Sequence, residues 1–363
     1  MFKGLISYGT WYNTPLLWAF ILGAALSAVP ASPSLACSRA VYLGPDNTVI
    51  TGRSMDWMSP IGSNLWAMPR GVKRDGAAGA NSVEWTAKHG SVITTAFDAA
   101  TADGINEKGL VANLLYLAES EYPTVAAGDA RPRMCISAWT QYVLDSFSTV
   151  AEAVAALQQE KFVVVPVMTP DGHAGNVHLA ISDPTGDSAI FEYLGGKLVI
   201  HHGREYQIMT NSPSYQQQLS LNDYWKQIGG TVMLPGTGRA ADRFVRASFY
   251  INAVTQTAQA DEAVAATFSV IRNVSVPLGI TTPGQPNIAS TLWRTVADHA
   301  DRRYFFESTR SPNVFWIDLD SLNLAEGQPV RKLTVSDGTV YAGDAADKFV
   351  TAEPFKFLAA EVK

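Results

Sequence analysis

From residue 37 onward, apolar and β-branched residues gather in short runs separated by turn residues, which is typical of β-strands. Residues 40–43 and 48–57 flank Gly44-Pro45-Asp46-Asn47, a sequence of strong turn formers, and this arrangement predicts a β-hairpin. The same pattern predicts a second hairpin from residues 82–86 and 91–97, a turn at 104–110, and strands at 111–117, 161–167, 177–182, 188–193, 197–201, 207–210, 291–298, 303–307, 313–318 and 332–335.

Longer apolar stripes predict helices between these groups of strands. Thr149 and Glu152 have the spacing of a capping box, and Asp261 is a candidate N-cap. The predicted helices cover residues 133–146, 149–159, 239–254 and 261–273. Strands and helices therefore alternate in blocks rather than one by one, which favours a layered α+β fold over a βαβ fold.

The first 36 residues have the features of a secretory signal peptide. Lys3 is their only charged residue, an apolar run covers residues 16–26, and the small residues Ser34 and Ala36 fit a cleavage site before Cys37. The apolar run is shorter than the roughly 20 residues that a membrane span needs. We therefore expect removal of residues 1–36, a single domain over 37–363, export to the periplasm or beyond, and no stable membrane anchor after cleavage.

Three alternatives to an N-terminal Cys37 with a free amine and a free thiol remain open at this point. An uncleaved leader would keep the chain attached to the membrane. A lipoprotein would carry lipid on Cys37, but such sites usually have Leu three residues before the cysteine, where this chain has Ser34. A disulfide to Cys135, the second of two cysteines, would also remove the free thiol, although Cys135 lies in a sequence that predicts a buried helix face.

Charge and motif content exclude several classes of function. The chain has a net charge of −6 and becomes one unit more negative when Lys3 is removed, whereas nucleic-acid binding requires a basic face. The sequence contains no G-x-S-x-G, H-E-x-x-H, C-x-x-C, G-x-G-x-x-G or P-loop motif. Neither a metal nor a cofactor is expected.

A cysteine at a new N-terminus would carry two reactive groups. Its thiol can attack a carbonyl, and its α-amine has a pKa of roughly 7.7–8.0, so part of it is an unprotonated base near neutral pH. A nucleophile paired with an N-terminal amine is an established catalytic arrangement. Cys37 is therefore the candidate catalytic residue on chemical grounds.

Four motifs follow Cys37 in a specific order, and each is weak alone. They are RSMDW at 53–57, DGINEKGL at 103–110, MTNSP at 209–213 and DRFVR at 242–246. Together with Cys37 they resemble the choloylglycine hydrolase family of penicillin V acylases and bile salt hydrolases. The leader and the sequence LAESEYP at 117–123 are most similar to the Gram-negative penicillin V acylases. The resemblance implies a four-layer αββα sandwich of the N-terminal nucleophile hydrolase type, which hydrolyses a linear amide.

The resemblance also implies roles for individual residues. Cys37 matches the nucleophile and its amine base, Arg53 the cation beside the thiol, and Asp56 the carboxylate that orients the amine. On a strand Arg53 and Asp56 face opposite sides, so a bend or bulge is needed for them to converge. The remaining matches are Asn211 as side-chain donor of the oxyanion hole, Tyr116 as its backbone donor and Arg243 as a supporting residue.

The substrate is the least determined feature. Trp57 and Tyr116 are candidate walls of an acyl pocket, which favours penicillin V or N-acyl homoserine lactones, both small-molecule amides. Trp66 is either a further wall of this pocket or a packing residue, and the packing role is favoured. A bile salt hydrolase and a non-catalytic exported binding protein on the same scaffold are the alternatives. Members of the family are often tetrameric, so the resemblance allows a homotetramer.

Overall fold

Two large β-sheets form the centre of the computed structural model, which describes residues 37–126, 128–229, 233–280, 289–311 and 313–360. The predicted signal peptide, residues 1–36, lies outside the described residues. The strands are β1 (Cys37–Leu43), β2 (Val49–Trp57), β3 (Leu65–Met68), β4 (Lys73–Asp75), β5 (Glu84–Thr86), β6 (Ser91–Ala96), β7 (Ala100–Asn106), β8 (Val111–Tyr116), β9 (Arg133–Cys135), β10 (Val163–Val165), β11 (Val177–Ser182), β12 (Ser188–Leu194), β13 (Lys197–His202), β14 (Ile208–Met209), β15 (Ser290–Asp298), β16 (Arg303–Ser308), β17 (Val314–Asp318), β18 (Arg331–Leu333), β19 (Gly343–Asp344) and β20 (Val350–Thr351). The helices are α1 (Ile136–Ser146), α2 (Val150–Leu157), α3 (Tyr215–Ile228), α4 (Ala240–Ala253) and α5 (Ala260–Asn273).

The two sheets differ in strand order but are both mainly antiparallel. The first has the order β14-β1-β2-β15-β16-β17-β19, and the second has the order β13-β12-β11-β8-β7-β6-β3-β18-β20. Only the β17–β19 pair of these sheets is parallel among the described residues. Strand β1 lies inside the first sheet, where it pairs with β14 on one side and with β2 on the other.

Alternate residues of the second sheet enter two different cores. Ala180 packs with the first sheet, whereas its neighbours Leu179 and Ile181 pack with α1 and α2. This is the period-two alternation of a strand that is buried on both faces. Helices α4 and α5 cover the other face of the first sheet, against β1, β2 and β15. The resulting layer order is helix, sheet, sheet, helix.

One close contact ties the outer helical layer to the first sheet. A Cβ atom built on Gly52 of β2 would lie 2.7 Å from side-chain carbons of both Thr267 and Ile271 on α5. The helix therefore packs directly on the backbone of β2, and glycine is the residue that this approach permits. Among the described residues, no helix is long and apolar enough to cross a membrane.

The first predicted hairpin is confirmed, but the second is wrong. Strand β5 pairs with β4, with Glu84 opposite Asp75, and β6 pairs with β3 and β7 instead. The predicted turn at 104–110 begins later, because β7 continues to Asn106. The side chain of Asn106 then accepts hydrogen bonds from the N–H groups of Lys108 and Leu110 and closes the turn.

The helix predictions need three corrections. Residues 133–135 form a strand, β9, before α1 begins, and Gln259 rather than Asp261 is the N-cap of α5. Helix α3 is absent from the predictions because its sequence is mainly polar and buries only Tyr215, Gln218 and Asn222. The cap of α2 is confirmed, since the Thr149 side chain accepts the Glu152 N–H at 3.2 Å.

Candidate active site

Cys37 is the first residue of β1 and lies between the two sheets. Its side chain belongs to the core that the sheets share, and only 2% of the residue is exposed. On β2 its partner is Met55, whose sulfur is 3.9 Å from Sγ. Cys37 also lines a cavity together with residues of β2, β7 and β8. Both Cys37 and Cys135 are free thiols, and Cys135 is buried in the other core.

Arg53 is held beside the thiol by a set of buried contacts. Its Nη2 is 4.0 Å from Cys37 Sγ and donates to the Leu114 carbonyl at 3.0 Å. The guanidinium lies over the Trp293 ring, 4.5 Å from its centroid, and Nη1 is 3.9 Å from Asp103 Oδ2. Burial raises the pKa of the Cys37 thiol above its ordinary value, and the nearby Arg53 cation opposes that rise.

Asp103 extends this arrangement into the protein interior. The Tyr304 hydroxyl and the Asn113 amide donate to its carboxylate at 2.5 and 2.6 Å, and Thr295 donates at 3.1 Å. These hydrogen bonds fix the carboxylate that faces Arg53. Asp103 begins a motif that carried the resemblance, but no pattern in the sequence connects it with Arg53.

Asp56 approaches the thiol through its backbone rather than its carboxylate. Its carbonyl oxygen is 3.8 Å from Cys37 Sγ, whereas its Oδ1 accepts the Thr291 hydroxyl at 2.5 Å. Oδ2 has no hydrogen-bond partner among the described residues. Burial raises the pKa of Asp56 to about 6, although Arg243 and Thr291 pull it down. The irregularity that was expected on β2 lies on β15, where the register shifts between Thr291 and Trp293.

Asn211 connects three parts of the site. Its Oδ1 accepts the Cys37 backbone N–H at 2.5 Å and Arg243 Nη2 at 2.8 Å, and its Nδ2 donates to the Tyr116 carbonyl at 2.7 Å. The residue lies two positions after β14, so the short β14–β1 pairing carries it to the start of β1. Tyr116 is thus brought to the site through its carbonyl, and its role as a backbone donor stays a prediction.

Arg243 anchors the start of β1 from α4. Its Nη1 donates to the Cys37 carbonyl and to the Ser38 hydroxyl, both at 2.6 Å. Its Nε donates to the Gly238 carbonyl at 2.9 Å. Burial lowers the pKa of Arg243, and the carboxylate of Asp56 opposes that shift. The structure therefore brings Cys37, Arg53, Asp56, Asn211 and Arg243 together.

The cavity beside Cys37 has a volume of about 90 Å³ and walls that are mainly apolar. Trp57 and Tyr116 both line it and meet edge to face, with ring centroids 6.2 Å apart. Trp66, the third aromatic candidate, instead donates to Asp98 and packs on Phe355. The remaining lining residues include Met55, Ile61, Ala96, Phe97, Leu114, Leu115, Ile136, Val167, Gly175 and Val177.

Asp171, which no sequence pattern indicated, binds Trp57 in the wall of the same cavity. Its Oδ2 accepts the Trp57 indole N–H at 2.7 Å and the Ser59 hydroxyl at 2.8 Å. In the sequence it stands in Thr169-Pro170-Asp171-Gly172, an ordinary turn, and Trp57 is 114 residues away. No local pattern could have linked them. No group of three or more His, Cys, Asp or Glu side chains suited to a metal ion occurs within the described ranges.

Comparison with known proteins gives a consistent picture. Residues 37–339 match the sequence profile of the linear amide C–N hydrolases, choloylglycine hydrolase family. A penicillin V acylase from Pectobacterium atrosepticum is 52% identical over 364 aligned positions, which cover 94% of this chain and 95% of that protein.

Two solved structures share the fold. The structure of penicillin V acylase from Agrobacterium tumefaciens superposes with a TM-score of 0.82 at 55% identity, over 89% of this chain and 100% of that one. A mutant of conjugated bile acid hydrolase from Clostridium perfringens gives a TM-score of 0.71 at 22% identity, over 85% and 98% of the two chains. The predicted αββα sandwich is confirmed.

Proposed function

Because the chain belongs to the choloylglycine hydrolase family of linear amide C–N hydrolases, we propose that it acts through Cys37 as an N-terminal nucleophile on amides with an apolar acyl group. One observation carries the proposal. Cys37 lines an apolar cavity, and its Sγ is 4.0 Å from Nη2 of the Arg53 guanidinium. A nearby cation favours the thiolate, which is the nucleophilic form of cysteine.

The proposed reaction begins with the α-amine that cleavage after residue 36 would release. This amine accepts the Sγ proton, and the thiolate attacks the acyl carbon of the amide. The C–N bond then breaks, the leaving nitrogen takes the proton from the ammonium group, and a thioester remains on Cys37. Water, deprotonated by the same amine, hydrolyses the thioester and regenerates the thiol.

The neighbouring residues have contacts that suit roles in these steps. Asn211 Nδ2 carries two hydrogens, of which one is used by the Tyr116 carbonyl, so the second is available to an oxyanion. Asp56 Oδ2 is a buried acceptor without a partner in the described part of the chain, and a primary amine at Cys37 offers additional N–H donors. Arg243 holds the Cys37 carbonyl and Asn211 Oδ1, and so we assign it a positioning role.

The first prediction concerns processing. We expect exported protein to begin at Cys37 with a free amine, because Ser34 and Ala36 fit the small-residue rule for cleavage. N-terminal sequencing and intact mass measure this directly. A different first residue, or the added mass of a lipid on Cys37, would contradict the single-residue mechanism. A periplasmic or secreted location and a homotetramer belong to the same proposal and are checked by fractionation and light scattering.

The second prediction concerns the substrate. The relatives named above include penicillin V acylases, and the Trp57 and Tyr116 rings at the cavity suit an aryl group or a flexible acyl chain. Stacking on a ring contributes about 0.5–1.5 kcal/mol beyond area burial, and each buried CH₂ contributes roughly 0.8 kcal/mol. We expect hydrolysis of penicillin V and of medium- to long-chain N-acyl homoserine lactones, and poor hydrolysis of conjugated bile salts such as glycocholate.

The measurement is kcat/KM for these three amides under one set of conditions. A clear preference for glycocholate would contradict this substrate assignment and show that the protein is a bile salt hydrolase. The cysteine mechanism would not be affected. Binding of all three without turnover by correctly processed protein would favour the non-catalytic binding protein instead.

A further inference from the structure

A hairpin at residues 167–175 forms one side of the cavity. Met168 and Ala174 pair across it, and the Gly175 N–H donates to the Val167 carbonyl at 2.8 Å. A Cβ atom on Gly175 would clash with Cδ1 of Ile136, so this end of the hairpin fits closely against α1. Val167, Thr169 and Gly175 face the cavity. The 167–175 hairpin therefore forms one wall of the cavity.

The tip of this hairpin is tied to the end of β2 by one carboxylate. Asp171 accepts two hydrogen bonds from the end of β2 and the residues just after it, one from the Trp57 indole N–H at 2.7 Å and one from the Ser59 hydroxyl at 2.8 Å. Its other oxygen accepts the Thr169 hydroxyl at 2.6 Å, and His173 Nδ1 is 3.3 Å from the same oxygen. The carboxylate thus joins the two walls that flank the cavity opening.

The charge of Asp171 makes this tie strong. Partial burial acts to raise the pKa of Asp171, but the hydrogen bonds from Thr169, Trp57 and Ser59 outweigh it and hold the pKa at about 2. The group is therefore ionised throughout the working range of an exported protein. Hydrogen bonds to an ionised acceptor are roughly twice as strong as neutral ones.

The Trp57 indole has a single N–H group, and its partner decides how the ring is turned. With that N–H bound to Asp171, the ring meets Tyr116 and His173 edge to face, with centroid distances of 6.2 and 5.9 Å. The ring and the hairpin then have a fixed spacing, which suits a flat aryl group or a slim chain. A wider acyl group requires the two walls to separate.

We propose that Asp171 is a specificity-determining positioning residue, which fixes the Trp57 indole and the 167–175 hairpin as the two walls that select narrow acyl groups. The inference rests on the proposed role of the cavity as the acyl pocket. The contacts of Asp171 are with Trp57, Ser59, Thr169 and His173, so it acts on acyl recognition through Trp57 and not on the chemical step.

The test compares Asp171→Ala and Asp171→Asn in the processed enzyme. We expect Asp171→Ala to raise KM for penicillin V by about tenfold, since a hydrogen bond to a charged group is lost, with kcat changed less than about twofold. The ratio of kcat/KM for glycocholate to that for penicillin V should rise. Asp171→Asn keeps a carbonyl oxygen for the indole and should restore most of the wild-type KM. Asp129→Ala is the matched control, because Asp129 also has a pKa of about 2, but its carboxylate binds Arg131 and not Trp57.

A double-mutant cycle with Trp57→Phe separates positioning from general loosening of the fold. Phenylalanine keeps a ring but has no N–H, so Asp171→Ala should have little further effect on KM in that background. Equal effects of Asp171→Ala in both backgrounds, or an unchanged substrate ratio, would overturn the inference.

A binding measurement keeps this test distinct from the test of the proposed mechanism. In Cys37→Ser protein we expect the Kd of phenoxyacetate, measured by calorimetry, to rise about tenfold on Asp171→Ala. If the wild-type protein does not hydrolyse penicillin V but Asp171→Ala still raises the Kd of phenoxyacetate, the proposed mechanism is wrong and the role of Asp171 stands. An unchanged Kd, or no binding of phenoxyacetate at all, would defeat the role of Asp171.

Discussion

Replacing Cys37 by serine is expected to reduce kcat for penicillin V by about 10³-fold or more, because a hydroxyl is a far poorer nucleophile than a thiol at neutral pH. The substitution changes one buried atom in a residue that is 2% exposed, so the fold should remain. Activity is measured by release of the amine product. Intact mass of the variant must show the same N-terminus as the wild type, since a retained leader would also remove activity.

Cys135→Ser is the matched control for this experiment. Both cysteines are free and buried, but Cys135 is the last residue of β9, directly before α1, in the core on the far side of the second sheet. We expect Cys135→Ser to lower stability modestly through the buried hydroxyl and to leave kcat nearly unchanged. Loss of activity in Cys135→Ser with activity retained in Cys37→Ser would show that the nucleophile is wrongly assigned.

Asn211→Ala is expected to have the next largest effect, a reduction of kcat by roughly 10²–10³-fold, the usual cost of losing an oxyanion-hole donor. The substitution also frees three groups that the Asn211 side chain now binds, the Cys37 N–H, Arg243 Nη2 and the Tyr116 carbonyl. Each buried group left without a partner costs about 1–3 kcal/mol of stability. The kcat value must therefore be measured per folded molecule, with urea unfolding of the same sample.

Asn106→Ala provides the comparison that isolates catalysis from stability. Asn106 is as buried as Asn211 and makes a similar set of hydrogen bonds, donating to the Leu144 and Phe147 carbonyls at 2.8 Å each. It is the last residue of β7, at the start of the turn, and does not line the cavity. Both variants should lose comparable stability, but only Asn211→Ala should lose kcat. Equal losses of kcat in Asn211→Ala and Asn106→Ala would contradict the role of Asn211 as an oxyanion-hole donor.

Structural features that depend on residues close together in the sequence were the best predicted. The β1–β2 hairpin follows from two apolar runs around a four-residue turn, and with it Arg53 is placed near Cys37. The cap of α2 at Thr149 is equally local. The layered α+β arrangement was predictable in outline from the blocks of strands and helices, although the specific αββα order came from the resemblance alone.

Features set by contacts between distant residues could not be predicted. Strand β5 pairs with the preceding strand β4 in a small separate sheet, whereas the two successive β runs at 82–86 and 91–97 predicted that β5 pairs with β6. Arg243 reaches Cys37 across 206 residues, and its sequence on α4 is that of an ordinary charged helix face. Motif order identified it, but its contact with the Cys37 carbonyl required the folded chain.

The contact between Gly52 and α5 has a consequence for the tolerance of this chain to mutation. Because the helix rests on the bare backbone of β2, a side chain at Gly52 would displace the strand that carries Arg53. Most random substitutions at Gly52 should therefore be removed by selection. The tip of the 167–175 hairpin is less constrained, since a Cβ atom on Gly172 would meet nothing within 4 Å, although its positive φ still favours glycine. A library seeking new acyl preferences is therefore best placed in the hairpin, and the strand is best left unchanged.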